Sequence, residues 1–194
     1  SLDEGDQKNW AQSIHKAGTR LIRTLNLILD YAKWEAETVY PGFEDVHPAK
    51  LIRQSIDLFT PDALKKGLTL RTELLPDEFR IKTNQRMLEN ILDNLIDNAI
   101  KFTEKGEVRV TTSIQDGQLK IGVHDTGIGI PPEFQALIFE EFRQASEGIG
   151  RSHEGAGLGL TLAKLWCGKI GGTISVDSQP GKGSVFTITL PATQ

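Results

Sequence analysis

Apolar residues return every three or four positions from Trp10 through Ile14, Ala17, Leu21, Leu25 and Ile28 to Ala32. That stripe predicts one long helix over about residues 6–37, with Lys16, Arg20, Arg23 and Asp30 on its other faces. Ile22 and Leu29 widen the stripe beyond a two-stranded seam, so the helix is expected in a bundle. Pro41 and Gly42 break the pattern and place a boundary between units 1–40 and 41–194. Beyond it the period shortens. A strand is expected around 43–46, a helix from Pro48 to about Lys65, and a strand over 68–74. Gly67 suits the positive φ that often ends a helix. A helix follows over about 85–102. Strands over 108–114 and 119–123 flank a turn at Asp116-Gly117. A helix from about Leu158 to Gly168 leads into a hairpin of 172–176 and 184–190. Strands and helices do not alternate strictly, and the late strands come as hairpins. The expected fold is α+β: a two-layer α/β sandwich with a mixed, largely antiparallel sheet and helices on one face, preceded by the long helix.

Composition narrows this picture. A chain of 194 residues can bury about 70% of its unfolded surface. A formal charge of −4 offers no basic field, which disfavours nucleic acid as a partner. The single cysteine, Cys167, permits no intrachain disulfide and fits a reducing compartment. Its place in a helical run favours an inert buried side chain. No run approaches the ~18 apolar residues of a membrane span. The first residue is serine and the one methionine is Met87, so the chain is expected to be a piece of a longer protein.

Four polar blocks carry candidate chemistry. Asn94 and Asn98 are four apart on one predicted helix and share a face, with Lys101 three further on. A carboxamide oxygen suits Mg²⁺, which prefers oxygen and often takes one or two protein ligands beside substrate phosphates. A lysine supplies a point charge for phosphate. The bland alternative is a polar helix face, although asparagine at 90, 94 and 98 is a poor choice for a helix alone. Asp125 closes a predicted strand ahead of Gly127 and Gly129. Its carboxylate could accept from an exocyclic amine while the glycines let backbone approach a base, or the block could be a plain Asp-x-Gly turn. Gly155, Gly157 and Gly159 surround the start of a helix at Leu158, where backbone amides favour phosphate oxygens. Between 148 and 155, further glycines suit a lid, from which Arg143 and Arg151 could reach phosphate, or a solvated surface. Gly181 and Gly183 mark the least specific block, a turn before the last strand.

Together these blocks resemble those of bacterial sensor histidine kinases, within the ATPase superfamily shared with gyrase, Hsp90 and MutL. Asn94–Thr103 resembles the N box, and Asp125–Ile130 the first glycine box. Phe139-Glu-Glu-Phe142 resembles the F box, Gly155–Leu160 the second glycine box, and Gly181–Phe186 the third. The resemblance implies ATP as the nucleotide, Mg²⁺ on Asn98, Asn94 and Lys101 at the phosphates, and Asp125 on the adenine amine. The stretch from Gly18 to Ala36 is similar to the second helix of the family's dimerisation and phosphotransfer hairpin, which implies a homodimer. The implied role is the ATP-binding catalytic domain of a two-component kinase, with a response regulator or receiver domain as partner. The implied setting is the cytoplasm, with a parent compatible with anchoring in the bacterial inner membrane. The phosphoacceptor motif is missing. His15 is followed by Lys16 rather than an acid and Arg20 stands where proline is usual, so no catalytic residue is assigned. The expectation is a domain that gives the γ-phosphate to a histidine outside this chain. A non-catalytic nucleotide- or kinase-binding module of the same fold is the alternative. Asn90, where glutamine is usual, and Thr83, where an acid often precedes the N box, are smaller departures.

Overall fold

The computed structural model describes residue 18 and residues 42–140 and 159–192. The chain divides into two compact units, Ser1–Tyr40 and Pro41–Gln194. The long helix expected over 6–37 lies, apart from residue 18, outside the described residues. The second unit holds the strands and helices that build the fold.

Its elements run β1 (Glu44–Val46), α1 (Pro48–Lys65), β2 (Thr69–Glu73), β3 (Ile81–Thr83), α2 (Gln85–Phe102), β4 (Glu107–Gln115) and β5 (Gln118–Asp125). A short helix α3 (Pro132–Gln135) and a 3₁₀ turn (Leu137–Phe139) come next, then α4 (Gly159–Lys169), β6 (Thr173–Gln179) and β7 (Gly183–Pro191). The main sheet has the order β2-β4-β5-β7-β6. All its pairings are antiparallel except β2 with β4, where Thr69 lies opposite Glu107. Parallel neighbours need a long crossover, and α2 lies within it. β1 and β3 form a separate antiparallel pair.

Strand alternation sets the layers. Val108 and Val110 on β4, Leu119, Ile121 and Val123 on β5, and Ile188 on β7 are fully buried. Arg109, Thr111, Lys120 and His124, which alternate with them, are half-exposed. Helices therefore cover one face only. The middle helix is α2, in contact with α1 and α4. Leu88, Ile91, Leu92, Leu95 and Ile96 recur along it at alternating spacings of three and one residues and are fully buried. Each such side chain contributes about 1.5–3 kcal/mol of burial. Leu162, Trp166 and Cys167 of α4 complete this layer.

Local signals end the elements where the physics requires. Gly67 closes α1 at φ +69. Asp116 (φ +52) and Gly117 (φ +71) make the β4–β5 turn with both residues left-handed, the twist that two-residue hairpins favour. β3, α3 and the 3₁₀ turn were not expected from the sequence. Three or four residues are too few to show a period.

Candidate nucleotide site

The asparagine helix is fixed at both ends. Its cap is Asn84, whose Oδ1 accepts from Met87 N at 2.9 Å while its Nδ2 donates to the Gly42 carbonyl at 3.1 Å. Asn84, rather than Thr83, is thus the side chain that opens the helix. Thr83 is buried, and its hydroxyl has no partner among the described residues. At the far end Lys66 Nζ reaches the carbonyls of Ile100 at 2.7 Å and Lys101 at 2.8 Å. Thr103 Oγ1 donates to Ala99 O at 2.7 Å. An ammonium on the last carbonyls satisfies orphan acceptors and opposes the negative end of the helix dipole.

Along the half-buried face of α2, Asn94 Nδ2 donates to Asn90 O at 2.9 Å. Its Oδ1 lies against the start of α4. A Cβ placed on Gly159 would meet that oxygen at 2.8 Å, so a larger residue there would push the Asn94 carboxamide aside. Asn98 is half-buried, and no described residue hydrogen-bonds its carboxamide. Lys101 Nζ stands over the Phe102 ring at 5.0 Å. α2 therefore borders both glycine segments, since Phe102, its last residue, meets the turn after β5.

That turn begins at Asp125. Oδ1 of its half-buried carboxylate accepts from Gly127 N at 2.8 Å and from Ser184 N at 3.3 Å. No described residue hydrogen-bonds Oδ2. Burial holds the carboxyl above its ordinary range, while the two amides and the Ser184 hydroxyl pull the other way. Ile128 N donates to Phe102 O at 3.3 Å, and Gly181 N to Ile128 O at 2.7 Å. The turn is thereby pinned between the end of α2 and the β6–β7 turn. Glycine is needed here for internal packing. A Cβ on Gly127 would strike the Phe102 carbonyl, and one on Gly129 (φ +70) the Gln179 carbonyl. Gly183 (φ +99) packs in the same way against the Asp125 carbonyl.

The fold thus sets Asn94, Asn98 and Lys101 along α2, with Gly159 against Asn94 and the Asp125–Gly129 turn against Phe102, the helix's last residue. Arg143, Arg151, Gly155, Gly157 and Leu158, with the expected lid, lie outside the described residues, as do His15 and His153. His47 holds Asp77 O at 2.7 Å beside the start of α1. His124 lies on the open sheet face, 3.1 Å from Thr111 Oγ1, and burial followed by Arg109 keeps its imidazole below the usual range. Neither histidine belongs to the site. Sequence reasoning missed Asn84, Lys66, Gln135 and Ser178, all of which hold these segments. Only Asn84 carried a signal, as a cap-forming residue before an apolar run.

Residues 83–194 match the family described as histidine kinase-, DNA gyrase B-, and HSP90-like ATPase. The chain belongs to that family, and the helix, sheet and glycine turns are its ATP-binding fold. Within the family it is similar to sensor histidine kinases. It is 39% identical to the circadian input-output histidine kinase CikA of Thermosynechococcus vestitus (strain NIES-2133 / IAM M-273 / BP-1), over 96% of this chain and 26% of that protein. Full-length ShkA in complex with AMPPNP superposes with a TM-score of 0.81 at 31% identity, over 98% of this chain and 40% of that one. ThkA in complex with the response regulator TrrA superposes at 0.79 and 25% identity, over all of this chain and 53% of that one. The chain thus spans about a quarter of the curated relative and about half or less of these solved chains. No helix among the described residues is long and apolar enough to cross a membrane.

Proposed function

We propose that this chain is the phosphoryl-donor part of a sensor histidine kinase, holding Mg²⁺-ATP along α2 for transfer of its γ-phosphoryl group to a histidine outside the chain. The single observation that supports this best is the Asn98 carboxamide. It is half-buried, engaged by no described residue, and on the same face as Asn94, which abuts the first turn of α4. Asp125 Oδ2 takes the adenine amine, and Asn94, Lys101 and the amides that open α4 take phosphate. Arg143, Gly155, Gly157 and Leu158 complete the phosphate side.

The residues fit a magnesium ion. The Asn98 carboxamide offers a neutral oxygen, and Mg²⁺ commonly completes its ligands from phosphate and water. Asn98 would hold it, and when bound it supplies neutralisation of phosphate charge. The chain's own contribution is positioning, which accounts for most of phosphoryl-transfer catalysis. In the transfer the bond from the γ-phosphorus to the β,γ-bridging oxygen breaks, ADP leaves, and a bond forms from phosphorus to an imidazole nitrogen. The imidazole proton goes to a neighbouring acid on the acceptor helix. Residues 1–40 supply one helix of a dimeric hairpin. A response regulator or receiver domain takes the phosphoryl group onward.

Calorimetric titration of ATP with and without Mg²⁺ tests this. The wild-type chain should bind more tightly with Mg²⁺, and Asn98→Ala should lose most of that gain. Equal Mg²⁺ dependence in both proteins would remove the metal role. Radiolabelled ATP should leave no acid-labile, base-stable label on the chain alone.

A further inference from the structure

Two turns meet at Asp125, and one buried hydroxyl joins them. Ser178, near the end of β6, is 7% exposed. Its Oγ lies 2.7 Å from Ile130 N, 2.9 Å from the Gly183 carbonyl and 2.9 Å from Ser184 Oγ. A hydroxyl has one proton and two lone pairs. It accepts from Ile130 N–H, donates to Gly183 O or to Ser184 Oγ, and is within hydrogen-bonding distance of all three. Gln135 of α3 works on the same two strands of chain. Its Nε2 donates to Ile130 O at 3.0 Å and to Ser178 O at 2.8 Å. Both backbone polar groups of Ile130 are therefore held, one by Ser178 and one by Gln135.

Ile130 ends the turn that Asp125 begins, and Ser184 supplies the longer of the two amide contacts to Asp125 Oδ1, at 3.3 Å. A hydrogen bond already that long is lost with a small displacement. The carboxylate is then held on that side by the Gly127 amide alone and turns more easily about its last side-chain torsion, which is a soft one. We infer that Ser178 and Gln135 are positioning residues for base selection. They keep Oδ1 on the backbone amides, so that Oδ2 faces the exocyclic amine of a purine and the site prefers 6-amino- to 6-oxopurine nucleotides. The inference rests on the reading of Asp125 as the adenine acceptor.

Titrating the full chain with ATP and with inosine triphosphate tests it. The two nucleotides differ at the 6-position, where the amine of one is an oxygen in the other. The wild type should prefer ATP. Ser178→Ala should shrink that preference about tenfold, the value of one hydrogen bond of ordinary to charge-assisted strength. Gln135→Leu, at a half-exposed position, should shrink it less, and it serves as the test should Ser178→Ala fail to fold. Ser178→Thr, which keeps the hydroxyl, should restore it. A merely structural role would weaken both nucleotides equally and leave their ratio alone. An unchanged ratio in Ser178→Ala and Gln135→Leu overturns the inference alone. A wild-type chain that binds both nucleotides alike overturns the Asp125 reading, and the inference with it.

Discussion

Replacing Asp125 with asparagine separates what the carboxylate does for the fold from what it does for the nucleotide. Oδ1 is occupied by two backbone N–H groups, from Gly127 and Ser184, and on the proposed reading Oδ2 takes the base. Asparagine has a single oxygen. If that oxygen stays on the amides, its NH₂ faces the adenine amine, donor against donor. If it turns to the base, its NH₂ faces Gly127 and Ser184 instead. One charge-assisted hydrogen bond is lost either way, about 1.5–3 kcal/mol or roughly 10- to 150-fold in ATP affinity. Stability should move the other way. Burial raises the folded pKa above the ordinary 3.8, so the stabilising effect of the protonated form is complete below 3.8 and is lost as pH rises through the folded value. At pH 7 the wild type therefore carries a buried charge that the neutral amide avoids. Asp125→Asn should melt at the same or a higher temperature at pH 7, and the gap should close as both proteins are taken down to pH 4. Calorimetric titration gives the affinity, and thermal melts followed by circular dichroism give the stability. Unchanged ATP affinity, or a clear loss of melting temperature at pH 7, refutes the reasoning.

Asn84→Ala should lower stability by about 1 kcal/mol in urea unfolding, because Met87 N–H loses its cap and the Gly42 carbonyl its partner. Gly129→Ala should cost more, about 1–2 kcal/mol from its left-handed φ plus the displacement forced by the Gln179 carbonyl. A variant as stable as wild type in the same urea experiment would contradict that geometry. Cys167 is buried and its thiol is pushed up to about 12, so iodoacetamide at pH 8 should modify it only after unfolding, as read by mass spectrometry. Its folded pKa is raised, so the stability it contributes should be intact below 9.0 and fall as pH climbs from there towards 12.

Long elements were legible because burial writes a period into them. α2 runs over Gln85–Phe102 as its apolar spacing predicted, and α1 over Pro48–Lys65. The central hairpins were legible from alternation and from Asp116-Gly117. β3 and α3 were not, since a three- or four-residue element is held by partners distant in sequence, such as β1 for β3. Within the candidate site, the shared face of Asn94 and Asn98 follows from helix geometry alone. Gly127 and Gly129 were read as letting backbone approach a base, Gly159 as part of a phosphate-facing helix start and Gly183 as part of a turn. Each also meets a carbonyl or a carboxamide of the protein itself. Nothing local distinguishes the two reasons for glycine, because each concerns what stands opposite in space.

The sequence by itself determined the layers, the helix faces and the chemical class of the site, because each depends on side-chain spacing along one element. Tertiary structure decided which backbone amides hold Asp125, what holds the last turn of α2, and how Ser178 and Gln135 fasten the two glycine turns together. Those are hydrogen bonds across separations such as 59 residues for Ser184 and Asp125, or 35 for Lys66 and Lys101. No local pattern records such pairs, because only the closed sheet with α2 packed on it brings their atoms within bonding distance.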